Sequence, residues 1–170
     1  ADFPLVVAPG LVTDLREQGL EHVYREIEQP LIAILADIEL TGIKVDVSGL
    51  AVLGRSMQTD LDALTTQIFA LAGGEFNINS PKQLSDVLFE RLGLQAGKKT
   101  GKTRVVSTAR DVLEELALTH ELPGLVLKWR EIQKLKGTYV DALPALVNPR
   151  TGRLHTTFNQ AVAATGRLSS

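Results

Sequence analysis

The sequence predicts a mainly α-helical protein that ends in a small β-hairpin-like region. Apolar residues recur every three or four positions over several long segments, as they do on one face of an α-helix. Most of these segments are bounded by glycine or by a residue that caps helices. Only 5% of the 170 residues are aromatic, which fits an aliphatic helical core better than an aromatic-rich β-sandwich. The β-prone residues are confined to the stretch after Pro144.

The first part of the chain predicts a tail and one helix. Residues 1–22 are loosely patterned and predict a short helix only around residues 14–19. Apolar residues at helical spacing predict a helix over residues 24–40. Gly42 is a good stop for that helix, since glycine readily adopts the left-handed conformation. A short extended segment, residues 43–46, follows.

A second, longer helix is predicted from Ser48 to about residue 72. Ser48 is expected to cap it, and Gly73-Gly74 is expected to end it. Because this helix carries few positive charges, we interpret it as scaffold rather than as a contact surface.

The clearest local signal is a capping box that begins at Ser80. Ser80 suits the N-cap, Pro81 the first helical position and Gln83 the third, and the helix is expected to continue to Gly93. Free backbone N–H groups at this helix start, with Lys82 in the first turn, could bind a phosphate. Any capped helix start has such N–H groups, so a purely structural role is the alternative.

Residues 94–107 predict a basic loop with four cations, which is either a solvated tip or a clamp on phosphates. Ser107 or Thr108 is expected to cap a helix that runs through Leu116. A final long helix is predicted over residues 123–140. On it, Arg130, Lys134 and Thr138 are spaced by four and are expected to share one face.

The last 26 residues change character. Residues 148–153 form a turn signature, residues 154–158 are β-prone, and residues 161–170 predict a second short strand or extended segment.

Composition excludes several classes of protein. There are no cysteines, which excludes disulfides, thiol nucleophiles and zinc–thiolate sites and is compatible with a reducing cytoplasm. No stretch approaches the roughly 18 apolar residues of a membrane span. The N-terminal residues 1–4 lack the pattern of a signal peptide. We therefore expect a cytoplasmic protein without a membrane partner.

Charge is divided unevenly along the chain. Residues 1–79 contain 4 Lys and Arg against 12 Asp and Glu, a balance of −8. Residues 80–170 contain 14 Lys and Arg against 8 Asp and Glu, a balance of +6. This asymmetry indicates a polyanion-binding surface in the second half, with ordinary solvated helix faces as the alternative.

Two C-terminal stretches, TGRLHTTFNQ (151–160) and ATGRLSS (164–170), closely resemble the opening of the palm in family A DNA polymerases of the bacterial DNA polymerase I type. The resemblance covers about residues 24–170, in the family's order. It is carried further by IEQPL (27–31) and TGIKVD (41–46) before the thumb, FNINSPKQL (76–84) at the thumb-tip helix, KKT (98–100) through Ser107-Thr108 in the basic tip loop, and WR (129–130) through KLK (134–136) in the returning thumb helix.

The resemblance implies three domain segments. Residues 1–23 are similar to the tail of an exonuclease-like domain, residues 24–144 to the helical thumb with its lead-in helix, and residues 145–170 to the truncated start of the palm. It implies an antiparallel helical thumb followed by a small β-hairpin-like element. Two positions depart from the family pattern: Ala163 replaces a frequent threonine, and Trp129 replaces the usual tyrosine on a mostly buried face.

The resemblance also implies a set of DNA-binding residues. Arg167 corresponds to the arginine that reaches the minor groove at the primer terminus, where every correct base pair presents acceptors. The remaining residues correspond to other contacts with the duplex. These are backbone contacts of Asn77, Ser80 and Lys82 at the thumb-tip helix, the tip loop with Lys98, Lys99 and Lys102, which closes over the minor groove, and the phosphate ligands Arg130 and Lys134 on the returning helix.

The resemblance implies a DNA-directed DNA polymerase that adds deoxynucleotides in replication and repair, with Mg²⁺ as its cofactor. In the family, two palm aspartates hold the metal ions, and those motifs lie downstream of Ser170. We therefore expect no catalytic residue, no metal ligand and no polymerase activity in these 170 residues. Glu114-Glu115 is interpreted as a solvated face, and His155 as a structural or nucleic-acid-facing residue rather than a catalytic base.

Three functional hypotheses follow. The first is a piece of an active polymerase, monomeric, that grips double-stranded primer–template DNA. The second is a non-catalytic DNA-binding module. The third is a helical interaction domain without a nucleic-acid role. The end of the chain within a motif favours the first, because a natural domain rarely ends there.

Overall fold

The chain is mainly α-helical, which confirms the predicted fold class. The computed structural model describes residues 3–95 and 107–170, and side chains from residue 6 onward in the first helix. These residues form two units. The first combines the chain up to Val45 with Val147–Ser170, and the second comprises Asp46–Leu146. The domain boundaries after residues 23 and 144 stay predictions.

The helices of the first unit are longer than the sequence predicts. Helix α1 spans Phe3–Glu17 and α2 spans Glu21–Val23. A π-helical turn, Tyr24–Glu28, leads into α3, Gln29–Thr41. The predicted helix around residues 14–19 is therefore the end of a helix that begins eleven residues earlier. Proline and glycine at positions 9 and 10 have low helix propensity, so the local sequence gave no sign of that extension.

Gly42 ends α3 and allows the two strands of the first unit to pair. Its φ is +64°, and a Cβ added there would lie 2.5 Å from the carbonyl oxygen of Leu154. Strand β1, Ile43–Lys44, follows at once and pairs antiparallel with β2, Arg153–Leu154. Only glycine combines this positive φ with the close approach.

The small sheet thus joins segments more than a hundred residues apart. The sequence predicted a hairpin-like element within residues 154–170, whereas β2 takes β1 as its partner. Within the C-terminal segment, two isolated antiparallel bridges pair Asn148 with Arg153 and Asn159 with Ser169. The β-prone residues after β2 are held by side chains rather than by a ladder.

Two acidic residues of the helical part anchor this C-terminal segment. The Nδ1 atom of His155 donates to the carbonyl oxygen of Glu39 over 2.7 Å, and its Nε2 atom lies 2.7 Å from the hydroxyl of Thr151. The carboxylate of Glu39 accepts from the backbone N–H of Phe158. The amide of Gln160 donates to the carboxylate of Glu28 over 2.6 Å. Both ring nitrogens of His155 are engaged within the unit, which fits a structural role.

The second unit begins with the long helix α4, Val47–Ala72. Its N-cap is Asp46 rather than the predicted Ser48, which lies inside the first turn. The Asp46 carboxylate accepts from the backbone N–H of Gly49 over 2.9 Å and from the hydroxyl of Ser48 over 2.6 Å. The Ser48 hydrogen bond, and then the Gly49 one, lower the pKa of Asp46. Gly73, in the left-handed conformation, ends the helix as predicted.

The next helix starts at Ser80, as the sequence predicts. Helix α5 spans Pro81–Ser85 and continues into a π-helical turn, Asp86–Arg91. The Ser80 hydroxyl accepts from the backbone N–H of Gln83 over 3.4 Å. In a capping box, the Gln83 side chain would accept from the backbone N–H of Ser80. Here it accepts instead from the backbone N–H of Asn77, over 2.7 Å.

Three further helices of the second unit lie in the part described from residue 107 onward. Helix α6 spans Arg110–Leu116. Its N-cap is Ala109, whereas the sequence predicted Ser107 or Thr108. Helix α7 spans Glu121–Leu135 and is capped by the ring of His120. A π-helical turn, Lys136–Val140, connects α7 to α8, Ala142–Ala145.

The core of the second unit lies where α4, α5, α6 and α7 meet. Trp129, the only tryptophan, is 9% exposed and donates its indole N–H to the hydroxyl of Thr65 over 2.9 Å. This confirms that the position with tryptophan in place of tyrosine is buried. The least exposed apolar residues of the core are Ile68, Leu84, Leu88, Leu113, Leu122 and Val126.

Among the described residues, no helix combines the length and the apolar character that crossing a membrane requires.

The hydrogen bond between α4 and α7 yields a stability prediction. Thr65→Val removes the acceptor of the Trp129 indole and leaves a buried donor unpaired, so we expect a loss of about 1–3 kcal/mol in the free energy of unfolding. Urea denaturation followed by Trp129 fluorescence measures it. Thr66→Val is the matched control, because the exposed Thr66 hydroxyl only donates to the Asp62 carbonyl of its own helix. Equal losses in the two variants would contradict the prediction.

The Asp46 cap predicts a pH dependence. A carboxylate whose pKa is lowered on folding stabilises the protein above its unfolded pKa, and this stabilisation disappears as the pH falls through the folded value. Asp46→Asn keeps a capping side chain but cannot titrate. The difference in free energy of unfolding between the wild type and Asp46→Asn should therefore shrink between about pH 5 and about pH 3. A difference that stays constant across urea titrations in this range would exclude this role for the carboxylate.

Candidate nucleic-acid interface

A basic groove runs along α7. It has a volume of about 420 Å³, and we call it the basic groove throughout. Four cationic side chains and one carboxylate line it together with three apolar or aromatic residues. The lining residues are Arg110, Leu127, Lys128, Arg130, Glu131, Lys134, Leu135 and Tyr139. The groove therefore presents an excess of positive charge beside an apolar wall.

Arg130 is the most firmly held cation of the basic groove. Its Nη1 atom donates to the carbonyl oxygen of Thr108 over 2.8 Å, and Thr108 is itself buried. Burial lowers the pKa of Arg130, but a guanidinium stays protonated at neutral pH. This hydrogen bond uses one of the five donors of the guanidinium, so Arg130 is positioned in advance with further donors for an anion.

Lys134 lies one turn beyond Arg130 and lines the same groove, as the spacing of four predicts. The predicted third member of that face, Thr138, is exposed but does not line the groove, where Tyr139 stands instead. The reason is the π-helical turn after α7, since its wider turn shifts later residues relative to an α-helical face.

The sequence predicted Arg130 and Lys134 as ligands but none of the other six residues that line the groove. Lys128 lies on α7 with Arg130, and a count of positive residues along that helix could have found it. Tyr139 lies in the π-helical turn that follows, where α-helical spacing does not apply. Arg110 comes from α6, and no local signal connects it to α7. Its guanidinium Nε donates to the carboxylate of Glu114 over 2.7 Å.

The start of α5 holds three other predicted residues. The side-chain oxygen of Asn77 accepts from the backbone N–H of Asn79 over 3.0 Å, and the Ser80 hydroxyl caps the helix. These two oxygens are therefore engaged in the local turn. Lys82 is exposed in the first turn of α5. None of the three lines the basic groove.

Lys98, Lys99 and Lys102 lie outside the described residues, so their role as a phosphate clamp stays a prediction from the sequence.

Arg167 belongs to the first unit and is exposed. It follows Gly166, whose φ of +74° forms a turn that is closed by a hydrogen bond to the carbonyl of Ala163. Two backbone hydrogen bonds between Asn159 and Ser169, of 2.7 and 3.1 Å, close the loop that carries it. The structure thus presents Arg167 on a loop closed by backbone hydrogen bonds.

The acidic residues that the structure describes do not converge into a metal site. Within residues 3–95 and 107–170, no three His, Asp or Glu side chains are grouped to hold a metal ion. Glu114 and Glu115 are exposed on α6, as expected for a solvated face. Asp141 accepts from the ammonium of Lys136 over 2.8 Å. The donor chemistry of the described residues therefore does not fit a pair of catalytic metal ions.

Comparison with known proteins agrees with the sequence resemblance. The family described as DNA polymerase family A matches residues 47–170. The chain is 50% identical over 154 residues to the thermostable DNA polymerase I of Thermus aquaticus, covering 91% of this chain and 18% of that protein. It is 49% identical over 160 residues to DNA polymerase I of Geobacillus stearothermophilus, covering 94% and 18%. It therefore spans about a fifth of these relatives' length.

A solved structure gives the same result at the level of the fold. It is described as the "POL domain of Pol1 from M. smegmatis complex with DNA primer-template and dNTP". The two chains are 35% identical with a TM-score of 0.85, over 97% of this chain and 29% of that one. Together with the family match over most of the sequence, this similarity shows that the chain belongs to the family A DNA polymerases.

Proposed function

We propose that this chain is part of a DNA-directed DNA polymerase and that it grips the primer–template duplex. The observation that carries the proposal is the basic groove, in which Arg130 is fixed by Thr108 and Lys134 lies one turn away. The similar M. smegmatis structure is described as a complex with DNA primer–template and dNTP, which supports the same ligand.

The chemistry of the basic groove suits phosphates rather than bases. Lysine and arginine side chains bind a phosphate backbone through charge and hydrogen bonds that carry no sequence information. The fork of Arg130 can donate two parallel hydrogen bonds to one phosphate, and Lys134 adds a point charge nearby. The groove should therefore bind duplex without sequence preference and with a strong dependence on salt.

The three tip-loop lysines and the start of α5 extend this proposal. Lys98, Lys99 and Lys102 supply further charge on a segment next in sequence to α6. At α5, the exposed ammonium of Lys82 and the amide of Asn77 are the groups suited to a backbone oxygen. Ser80 supports the same proposed contact because its hydroxyl caps α5 and so fixes the start of that helix.

Arg167 has a different proposed role. Every base pair presents hydrogen-bond acceptors in the minor groove, so an arginine there can test correct pairing without reading the sequence. The closed loop around Arg167 supports this role, because a fixed backbone limits where the guanidinium can reach.

The parent enzyme is proposed to add deoxynucleotides to a primer end in the cytoplasm, as a monomer with Mg²⁺. Metal ions would stabilise the attacking and leaving oxygens of that reaction. The described residues do not fit such a site, so we assign no metal ligand among them. Lack of polymerase activity in these 170 residues stays a prediction from the family resemblance.

Lys134→Gln tests the groove. Removing one phosphate contact should weaken binding of this chain to a labelled primer–template hairpin and lower the salt slope of the affinity by about one. Fluorescence anisotropy across a salt series measures both quantities. Arg55→Gln is the control, because Arg55 is exposed in the same unit but does not line the groove.

Two results would contradict the proposed function. One is a wild-type chain, shown to be folded by circular dichroism, that does not bind the hairpin at low salt. The other is a salt slope that Lys134→Gln and Arg55→Gln lower equally.

Arg167→Ala tests the primer-terminus role in a full-length polymerase that contains these residues. Loss of a charged hydrogen bond should lower the efficiency of primer extension by about tenfold to a hundredfold, while duplex affinity changes little. Single-nucleotide extension kinetics measure the effect. Arg150→Ala, at another exposed arginine of the same unit, is the control. Extension as efficient as in that control would remove the proposed role.

A further inference from the structure

Arg110 is a groove residue that the family resemblance did not predict. It stands at the first position of α6, whereas the predicted phosphate ligands Arg130 and Lys134 lie on α7. Because α6 packs against α7, the Arg110 side chain lines the same basic groove as those two residues. The groove thus receives cations from two helices.

Arg110 is engaged by a carboxylate of its own helix. Its Nε atom donates to Oε1 of Glu114 over 2.7 Å, one turn further along α6. The two side chains are 81% and 53% exposed, so water screens the pair and its stabilising effect is small. Glu131 of α7 also faces Arg110 and raises its pKa less than Glu114 does. Arg110 is therefore a cation with a weak, replaceable partner.

We propose that Arg110 is an additional phosphate-binding residue of the basic groove and that Glu114 restrains it by competing with the phosphate. The proposal rests on the proposed duplex binding and deepens it. A phosphate can accept two parallel hydrogen bonds from a guanidinium, one of them from the Nε–H that Glu114 now occupies. DNA binding then exchanges an exposed carboxylate partner for a phosphate.

The exchange has two consequences for the interface. A phosphate bound by Arg110 and a neighbouring one bound by Lys134 or Arg130 would fix the position of the DNA backbone relative to both helices. The Glu114 carboxylate lowers the affinity, because binding must first break its ion pair with Arg110. Glu114 thus limits how tightly the groove holds DNA.

Three variants test this proposal by anisotropy of a labelled primer–template hairpin across a salt series. Arg110→Gln should weaken binding about threefold to tenfold and lower the salt slope by about one. Glu114→Gln should tighten binding about twofold to fivefold. In Arg110→Gln/Glu114→Gln the gain should disappear, because the carboxylate acts through Arg110.

Glu115→Gln is the matched control. It removes the same charge from the next residue of α6, which is exposed and does not line the groove. Its effect, expected to be below about 1.5-fold, measures the general repulsion between α6 carboxylates and DNA. Both Arg110 and Glu114 are exposed, so the variants leave the core intact, and circular dichroism checks this.

The outcomes separate this inference from the proposed function. If the wild type binds with salt dependence and Lys134→Gln weakens it, but Arg110→Gln binds like the wild type, the inference is overturned and the proposed function stands. A gain from Glu114→Gln that equals the control, or that persists in the double variant, also overturns it. Absence of wild-type binding overturns both.

Discussion

The packing of α7 against α4 is the constraint on which the second unit depends. Ile68 of α4 and Val126 of α7 are fully buried in the core, and the indole of Trp129 is tied to Thr65 across the interface. Each such apolar side chain stabilises the fold by about 1.5–3 kcal/mol when it is removed from water. Because α7 can bury only one face, this packing decides which of its residues remain for a ligand.

The basic groove results from this packing of α7 against α4. Lys128 and Lys134 are left on the exposed side of α7, while Arg130 lies at the boundary and satisfies the buried carbonyl of Thr108. Holding a cation at the edge of the core restricts its conformations before any ligand arrives, which lowers the entropy lost on binding. The same packing that stabilises the helices therefore orients the proposed phosphate ligands.

The first unit depends on a different kind of constraint, namely side-chain hydrogen bonds between distant segments. Gly42 allows the backbone of β1 to approach β2, and Glu39 accepts from Phe158 and, through its carbonyl, from His155. A sheet of two strands with two residues each has too few hydrogen bonds between its strands to fix a segment by itself. The acidic residues of α3 and its preceding turn thus hold the segment that carries Arg167.

The sequence by itself determined the elements whose signals are local. Helical periodicity predicted α3, α4 and α7, Gly42, Gly73 and Ser80 marked helix ends, and a spacing of four placed Arg130 with Lys134. Tertiary structure alone decided that β1 pairs with β2 and that Arg110 lines the same groove as the α7 cations. It also decided that Tyr139 rather than Thr138 lines the groove, because a π-helical turn follows α7. Such pairings depend on side-chain packing and hydrogen bonds between residues far apart in the chain, which propensity and spacing along one segment do not encode.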